Sequence, residues 1–145
     1  MSKRMFDLIV LIKNVFHELK LGAFDPAHKT GTLKSAVIRE TYKTKQMNVL
    51  FQVAQPLGDA APAVVKKLTA KIPELVGVAQ TVSVDPSSLS NDPIDILYGD
   101  QAIVDSIGEL NFLIGYRSFF QINPSQTEKL YDKALEYAAL TGKER

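Results

Sequence analysis

Met47-Asn48-Val49-Leu50-Phe51-Gln52-Val53 alternates residue by residue: Met47, Val49, Phe51 and Val53 project one way, and Asn48, Leu50 and Gln52 the other. A period of two over seven residues is the signature of a strand with one apolar face. Just upstream, Leu33 to Tyr42 alternates too, with Leu33, Val37 and Thr41 opposed to Ala36, Ile38 and Tyr42. The polar joint Lys43-Thr44-Lys45-Gln46 between them is short, so the pair reads as an antiparallel hairpin.

Working outward, Met5, Leu8, Ile9, Ile12, Val15, Phe16 and Leu19 recur at helical spacing over residues 5–20, with Lys13, Asn14 and Glu18 on the other side. Gly22 is the expected stop. Val10 and Leu11 widen the stripe and predict a helix buried on more than one side. His17 lies beside the stripe and reads as a partly exposed helix residue. Residues 22–31 form a loop turning at Asp25-Pro26.

Beyond the hairpin, Asp59 and Pro62 open a helix carrying Val64, Val65, Leu68 and Ile72, which Pro73 ends. Leu75 to Val84 is rich in β-branched residues and reads as a strand. Asp85 to Pro93 is the strongest loop signal. Strands at Ile94–Tyr98, Ala102–Ile107 and Leu110–Ile114, separated by Gly99-Asp100 and Gly108, have the spacing of an antiparallel meander. Asn123 caps a last helix with Pro124 in its first turn and Gln126 three residues after the cap. Leu130, Tyr131, Ala134, Tyr137 and Ala138 form its stripe, and Gly142 suits its end. The expected fold is α+β, an antiparallel sheet covered by helices in the order α-β-β-α-β-β-β-β-α.

A chain of 145 residues with 46% hydrophobic and 23% charged residues is long enough to bury a core without a staple. It has no cysteine, which excludes disulfides, thiol catalysis and cysteine-held metal clusters within these residues. Two isolated histidines, His17 and His28, make a poor metal site. The longest apolar run, Leu8 to Ile12, is far short of a membrane span, and the first residues lack the pattern of a secretory leader, so a cytoplasmic location is expected.

The net charge of +1 is uneven: residues 1–45 hold nine Lys/Arg against four Asp/Glu, and residues 46–120 hold four against eight. A basic N-terminal third suits a polyanion, or is simply a solvated face. Its candidates for RNA contact are Lys29, Lys34 and Arg39, within a stretch that also holds His28, Lys43 and Lys45. Alternation puts Arg39 opposite Lys34, so these cations do not form a single patch. Asp92, Asp95, Asp100 and Asp105 have the wrong spacing for a calcium loop, and Ser87 and Ser88 lack a histidine partner. There is no phosphate-binding glycine loop and no nucleophile elbow. The segment Tyr116 to Pro124 brings an aromatic and an amide together at a strand exit, a pairing that suits a planar base or an adenosine-containing cofactor, and equally suits core filling.

Ser118-Phe119-Phe120-Gln121-Ile122-Asn123-Pro124-Ser125-Gln126-Thr127-Glu128-Lys129-Leu130-Tyr131, followed by Ala134 to Ala138 and Leu140-Thr141-Gly142, resembles the S-F-F-Q-V-N-x-x-Q-T-E-x-L-Y segment of bacterial RNA (uracil-5-)-methyltransferases. Ala36-Val37-Ile38-Arg39, Met47-Asn48-Val49-Leu50, Tyr98-Gly99, Ile107-Gly108 and Phe112-Leu113-Ile114 are similar to the central domain of that family. The resemblance implies S-adenosylmethionine as cofactor, with Gln121 at the position of a cofactor-contacting glutamine and Phe119 at that of an aromatic near the target base. It implies 23S rRNA as partner, with tRNA as second choice. In that chemistry a cysteine thiolate adds to C6 of uracil, C5 takes the methyl group, and a base removes the C5 proton.

The family's N-terminal barrel, its iron–sulfur cysteines, its cofactor loop, its nucleophilic cysteine and its general-base glutamate have no counterpart here. The resemblance therefore implies a middle piece: residues 1–122 as a central RNA-facing domain and residues 123–145 as the first helix leading into a cofactor-binding domain, inactive alone and with no catalytic residue of its own. The alternative is a self-contained, non-catalytic α+β binding or regulatory module.

Overall fold

The computed structural model of the protein describes residues 2–82, 92–121 and 123–139. Ser87, Ser88, most of the expected 85–93 loop and the expected helix end at Gly142 lie outside the described residues. The described elements follow the expected order, with α1 Lys3–Glu18, β1 Leu33–Glu40, β2 Met47–Val53, α2 Ala61–Thr69, β3 Leu75–Val82, β4 Asp95–Gly99, β5 Ala102–Ile107, β6 Leu110–Gly115 and α3 Pro124–Ala138.

The alternating stretch forms β2, and it pairs antiparallel with β1, Glu40 opposite Met47 and Val37 opposite Leu50. Lys34 sits at a bulge between Leu33 and Ser35. The sheet is not antiparallel throughout, as the sequence led us to expect. β3 runs parallel to β2, because α2 carries the chain back to the edge from which β2 started. β4 pairs antiparallel with β3, giving a mixed four-stranded sheet in the order β1-β2-β3-β4.

The expected meander also breaks after β4, and β5 and β6 form a hairpin of their own. The break has a local cause. Gly99 has φ +68°, and a Cβ there would fall 1.9 Å from the Val76 carbonyl oxygen. The following amide, Asp100 N, donates to that same oxygen at 3.0 Å. Only glycine permits this approach, and it turns the chain off the sheet.

All seven residues of β2 are buried, so both faces of the sheet are covered there. On one face Leu8, Ile12, Val15 and Phe16 of α1 and Val64 and Leu68 of α2 pack on Met47, Val49, Phe51 and Val53. The Phe16 and Phe51 rings lie 5.1 Å apart. Fully burying one such side chain is worth about 1.5–3 kcal/mol, so this face dominates stability. Ser2 caps α1, its Oγ accepting from Met5 N at 3.1 Å. The helix ends at Leu19, before Gly22, with Lys20 in the left-handed region at φ +57°. Nor is α1 buried on several sides: Phe6, Ile9 and Val10 are exposed, since α2 and the sheet cover a single stripe. His17 is exposed, in keeping with its place beside that stripe.

On the opposite face Leu50, Ala79 and Tyr116 form a small second core with Val37 and Ile94. The β5–β6 hairpin touches β2 and β3 there. Polar ties fasten it. The buried Asp105 carboxylate accepts from Tyr42 N at 2.6 Å and Lys43 N at 2.9 Å, and Gln46 Oε1 accepts from Val104 N at 2.8 Å. The turn between β1 and β2 is thus latched onto β5. No helix among the described residues is long and apolar enough to cross a membrane.

Candidate functional site

A cavity of about 540 Å³ opens where the end of β1, the first turn of α1, the hairpin and the 116–121 segment meet. Its apolar wall is Val37, Ile103, Ile114 and Phe120. Ile103 and Ile114 stand opposite each other in the hairpin, and both are buried. The Phe120 ring lies 5.8 Å from that of Phe112, which fixes it against the hairpin.

The polar wall is mostly cationic: Arg4, Arg39 and Lys45 face the cavity with one acid, Glu40. Glu40 is already engaged, by Arg4 Nε at 3.3 Å and by the Ser2 hydroxyl. Arg4 also reaches Glu74 at 3.4 Å. Arg39 is half-buried, and its Nε donates to the Tyr116 carbonyl at 3.2 Å. Burial lowers its pKa, yet an arginine so placed keeps its charge. Lys45 lies 4.7 Å from the centre of the Tyr42 ring, stacked on it as a cation on a π face. Tyr116 anchors the whole segment. Burial, with a smaller push from the Asp100 charge, raises its phenol to about 12, so it stays a neutral donor, bonded to the Asp100 carbonyl at 3.3 Å.

The residues singled out in the sequence divide between this cavity and other places. Gln121 and Arg39 meet in it, 82 positions apart in the chain. Gln121 also lines a second cavity of about 430 Å³ at the start of α3, shared with Asn123, Gln126 and Lys129. There the Asn123 cap is realised: Oδ1 accepts from Gln126 N at 3.4 Å and from Ser125 Oγ at 3.0 Å. Phe119 lines neither cavity and is 83% exposed, whereas its neighbour Phe120 faces in. Lys29 is exposed in the 25–30 turn, and Lys34 lies 4.8 Å from the centre of the Phe24 ring. The three basic candidates therefore do not converge, and only Arg39 belongs to the site.

Sequence reading did not assign Arg4 or Tyr42 to a site. The signal for Tyr42 was the alternation of β1 carried two residues beyond the strand. For Arg4 nothing local pointed there, since α1 is brought to β1 only by tertiary packing. A cationic rim, a π face at Tyr42, an apolar wall and a donor–acceptor amide at Gln121 together suit a nucleotide, its phosphate on the rim and its base against the wall. Among the described residues no group of three or more His, Asp or Glu is placed to hold a metal ion.

No protein-family model matches the chain. It is similar to proteins named as RNA methyltransferases. That of Enterococcus faecalis is 35% identical over 137 residues, covering 94% of this chain and 30% of the relative. One from Bacillus cereus is 33% identical over 138 residues, and one from Staphylococcus aureus 34% identical over 134 residues, each again covered over 30% of its length. The chain thus spans about 30% of the length of the curated relatives it matches. Among solved structures, a Pyrococcus abyssi tRNA (uracil-54, C5)-methyltransferase in complex with S-adenosyl-L-homocysteine superposes with a TM-score of 0.72 at 22% identity, over 92% of this chain and 31% of that one. That likeness establishes a shared fold.

Proposed function

We propose that this chain, homologous over nearly its whole length to a segment of RNA methyltransferases, is the RNA-positioning part of an S-adenosylmethionine-dependent RNA (uracil-5-)-methyltransferase. Residues 1–122 would form the RNA-facing domain, and residues 123–145 the first helix leading into the cofactor-binding region. The preferred substrate is 23S rRNA, with tRNA second. The observation that carries the reading is the convergence of Arg39, Phe120 and Gln121 on one cavity, since a base taken out of its stack needs a π or apolar wall, an edge-reading amide and a cation for its phosphate.

Each residue has a role that follows from its placement. Arg39, held by the Tyr116 carbonyl, keeps further N–H groups for a phosphate or a base edge. Lys45 and Tyr42 present a charge and a π face at the mouth. Phe119, exposed and next in the chain to Phe120, is available to stack on a base. Gln121 stands between two cavities, so one amide can touch the base side and the cofactor side. This donor set fits one contact to S-adenosylmethionine, which supplies an electrophilic methyl group when bound. The backbone of Gln121 is held between the Tyr116 anchor and the Asn123 cap, so little entropy is lost on binding.

The test uses the enzyme that carries this segment. Gln121→Ala is expected to lower turnover in tritium release from 5-tritiated uracil RNA, or cofactor affinity, by roughly tenfold, with the melting temperature unchanged. A lowered melting temperature with unchanged turnover per folded enzyme would make Gln121 a structural residue and remove the main support for the reading. The 145-residue chain assayed alone is expected to stay at background, because it has no cysteine to attack C6.

A further inference from the structure

The helical face of the sheet carries a second groove that the cavity above does not use. It lies between α1 and α2 and measures about 440 Å³. Ala63, near the start of α2, and Ala70, its C-cap, leave it open because a methyl group is too short to fill it. Its rim is formed by Lys66, Lys67 and Lys71, against a single acid, Glu18. Glu18 pairs with Lys67 at 2.8 Å across the groove. Lys66 and Lys71 are exposed and have no ion-pair partner among the described residues.

The placement of these lysines says more than their number. A cation in the last turn of a helix offsets the helix end, and Lys66 and Lys67 serve that purpose in α2. Lys71 lies beyond the cap at Ala70 and is not needed for it. The segment 46–120 is acidic as a whole, yet three of its four basic residues stand on this one rim. A focus of positive charge over a small apolar floor is complementary to a sugar–phosphate chain.

We propose that the α1–α2 groove is a second RNA contact, binding the phosphodiester backbone through Lys66, Lys67 and Lys71 while the target nucleotide occupies the cavity at Arg39 and Gln121. This rests on the RNA-positioning reading above. α1 connects the two sites: Arg4 faces the cavity and Glu18 the groove. Their separation along the helix is roughly 21 Å at 1.5 Å per residue. One folded RNA hairpin covers that span.

The experiment titrates the chain with a fluorescein-labelled, uridine-containing RNA hairpin at several salt concentrations. The variants are the triple change Lys66→Gln, Lys67→Gln and Lys71→Gln, the charge-keeping Lys66→Arg with Lys71→Arg, and Arg39→Gln in the cavity. The triple variant is expected to lose about tenfold in affinity at low salt. Its slope of log affinity against log salt should become shallower by roughly two to three, one for each phosphate contact given up. The arginine variant should bind as the unaltered chain does. If the triple variant keeps both affinity and slope while Arg39→Gln weakens binding, the groove is not an RNA contact and the cavity reading stands. If the unaltered chain fails to bind the hairpin at low salt, both fall. Equal losses in the triple and arginine variants would show that the loss does not follow the positive charge, and would also overturn the proposal.

Discussion

α1 and α3 are helices of similar length, 16 and 15 residues, and both carry an apolar stripe, yet they end in opposite environments. α1 buries Leu8, Ile12, Val15 and Phe16 against β2 and α2. In α3 the stripe is open: Leu130 is 57%, Leu135 60% and Tyr137 76% exposed, and among the described side chains the buried one is Thr127, in the first turn. Periodicity records that a helix has a preferred side. It does not record what meets that side. α1 has its partner within these residues, and α3 has none among the described ones. α3 is held instead by polar ties at its start, where Glu128 accepts from Lys43 Nζ at 2.7 Å and from Gly108 N at 3.2 Å.

The largest expected effect tests that contrast directly. Leu8→Ala and Leu68→Ala each remove a fully buried side chain and should cost about 2–5 kcal/mol in chemical denaturation. Leu130→Ala and Leu135→Ala remove exposed ones and should stay within about 0.5 kcal/mol. A cost above that for either α3 variant would show its stripe covered in solution, and the contrast between the helices would disappear.

The same contrast explains which parts of the molecule could be read from sequence. The α1 stripe, apart from the exposed Ile9, the β1–β2 hairpin and the Asn123 cap are local patterns, and each formed where its residues say. The parallel placement of β3 is not local. β2 was read as a strand with one buried face because Asn48 and Gln52 look like solvent-facing residues. Both are buried, and a hairpin some fifty residues downstream touches β2. The site divides in the same way. Gln121 was found from a motif and Arg39 from a basic strand, and both line the cavity. Choosing between Phe119 and Phe120 required the structure, since β6 ends at Gly115 and alternation no longer indicates which aromatic faces inward.

The second prediction turns from the helices to the two faces of the sheet. The helical face is held by apolar packing, and the hairpin face depends on a few polar atoms. Asp105→Ala leaves the Tyr42 and Lys43 amides without their acceptor, at about 1–3 kcal/mol for a buried donor. Asp105→Asn retains an acceptor oxygen and should cost less. Equal losses in both variants would show that the charge, rather than the pair of accepted bonds, latches the turn. Loss of stability should be accompanied by earlier hydrogen exchange at β5 and β6 than at β2.

A smaller effect, of opposite sign, is expected one strand away. Asn48 is 1% exposed, and neither its Oδ1 nor its Nδ2 has a hydrogen-bond partner. A buried amide left unpaired is destabilising, so Asn48→Leu should raise stability by about 1 kcal/mol. A loss of similar size would mean that the amide is satisfied in solution, by water or a ligand, and that the hairpin face is as well satisfied as the helical one.

The smallest effect concerns the polar tie that holds α3 in place of a core. The Lys43 hydrogen bond, then the Gly108 N–H, then the Lys43 charge hold the Glu128 carboxyl below its ordinary value. A carboxylate whose folded-state pKa is depressed stabilises the fold fully above its unfolded value, and that contribution is lost as pH falls through the depressed one. The docking of α3 should therefore be constant near neutral pH and weaken only under acid conditions, beginning as pH falls into the usual glutamate range and ending below it. Because the group is exposed, salt should reduce the effect. A carboxyl NMR titration of Glu128 should give a midpoint below the ordinary glutamate value, and Lys43→Met should return it most of the way. If Lys43→Met leaves the midpoint where it was, the ion pair does not hold α3. The Gly108 N–H would then be the tie that Glu128 retains to the hairpin, and the contrast with α1 would be sharper still.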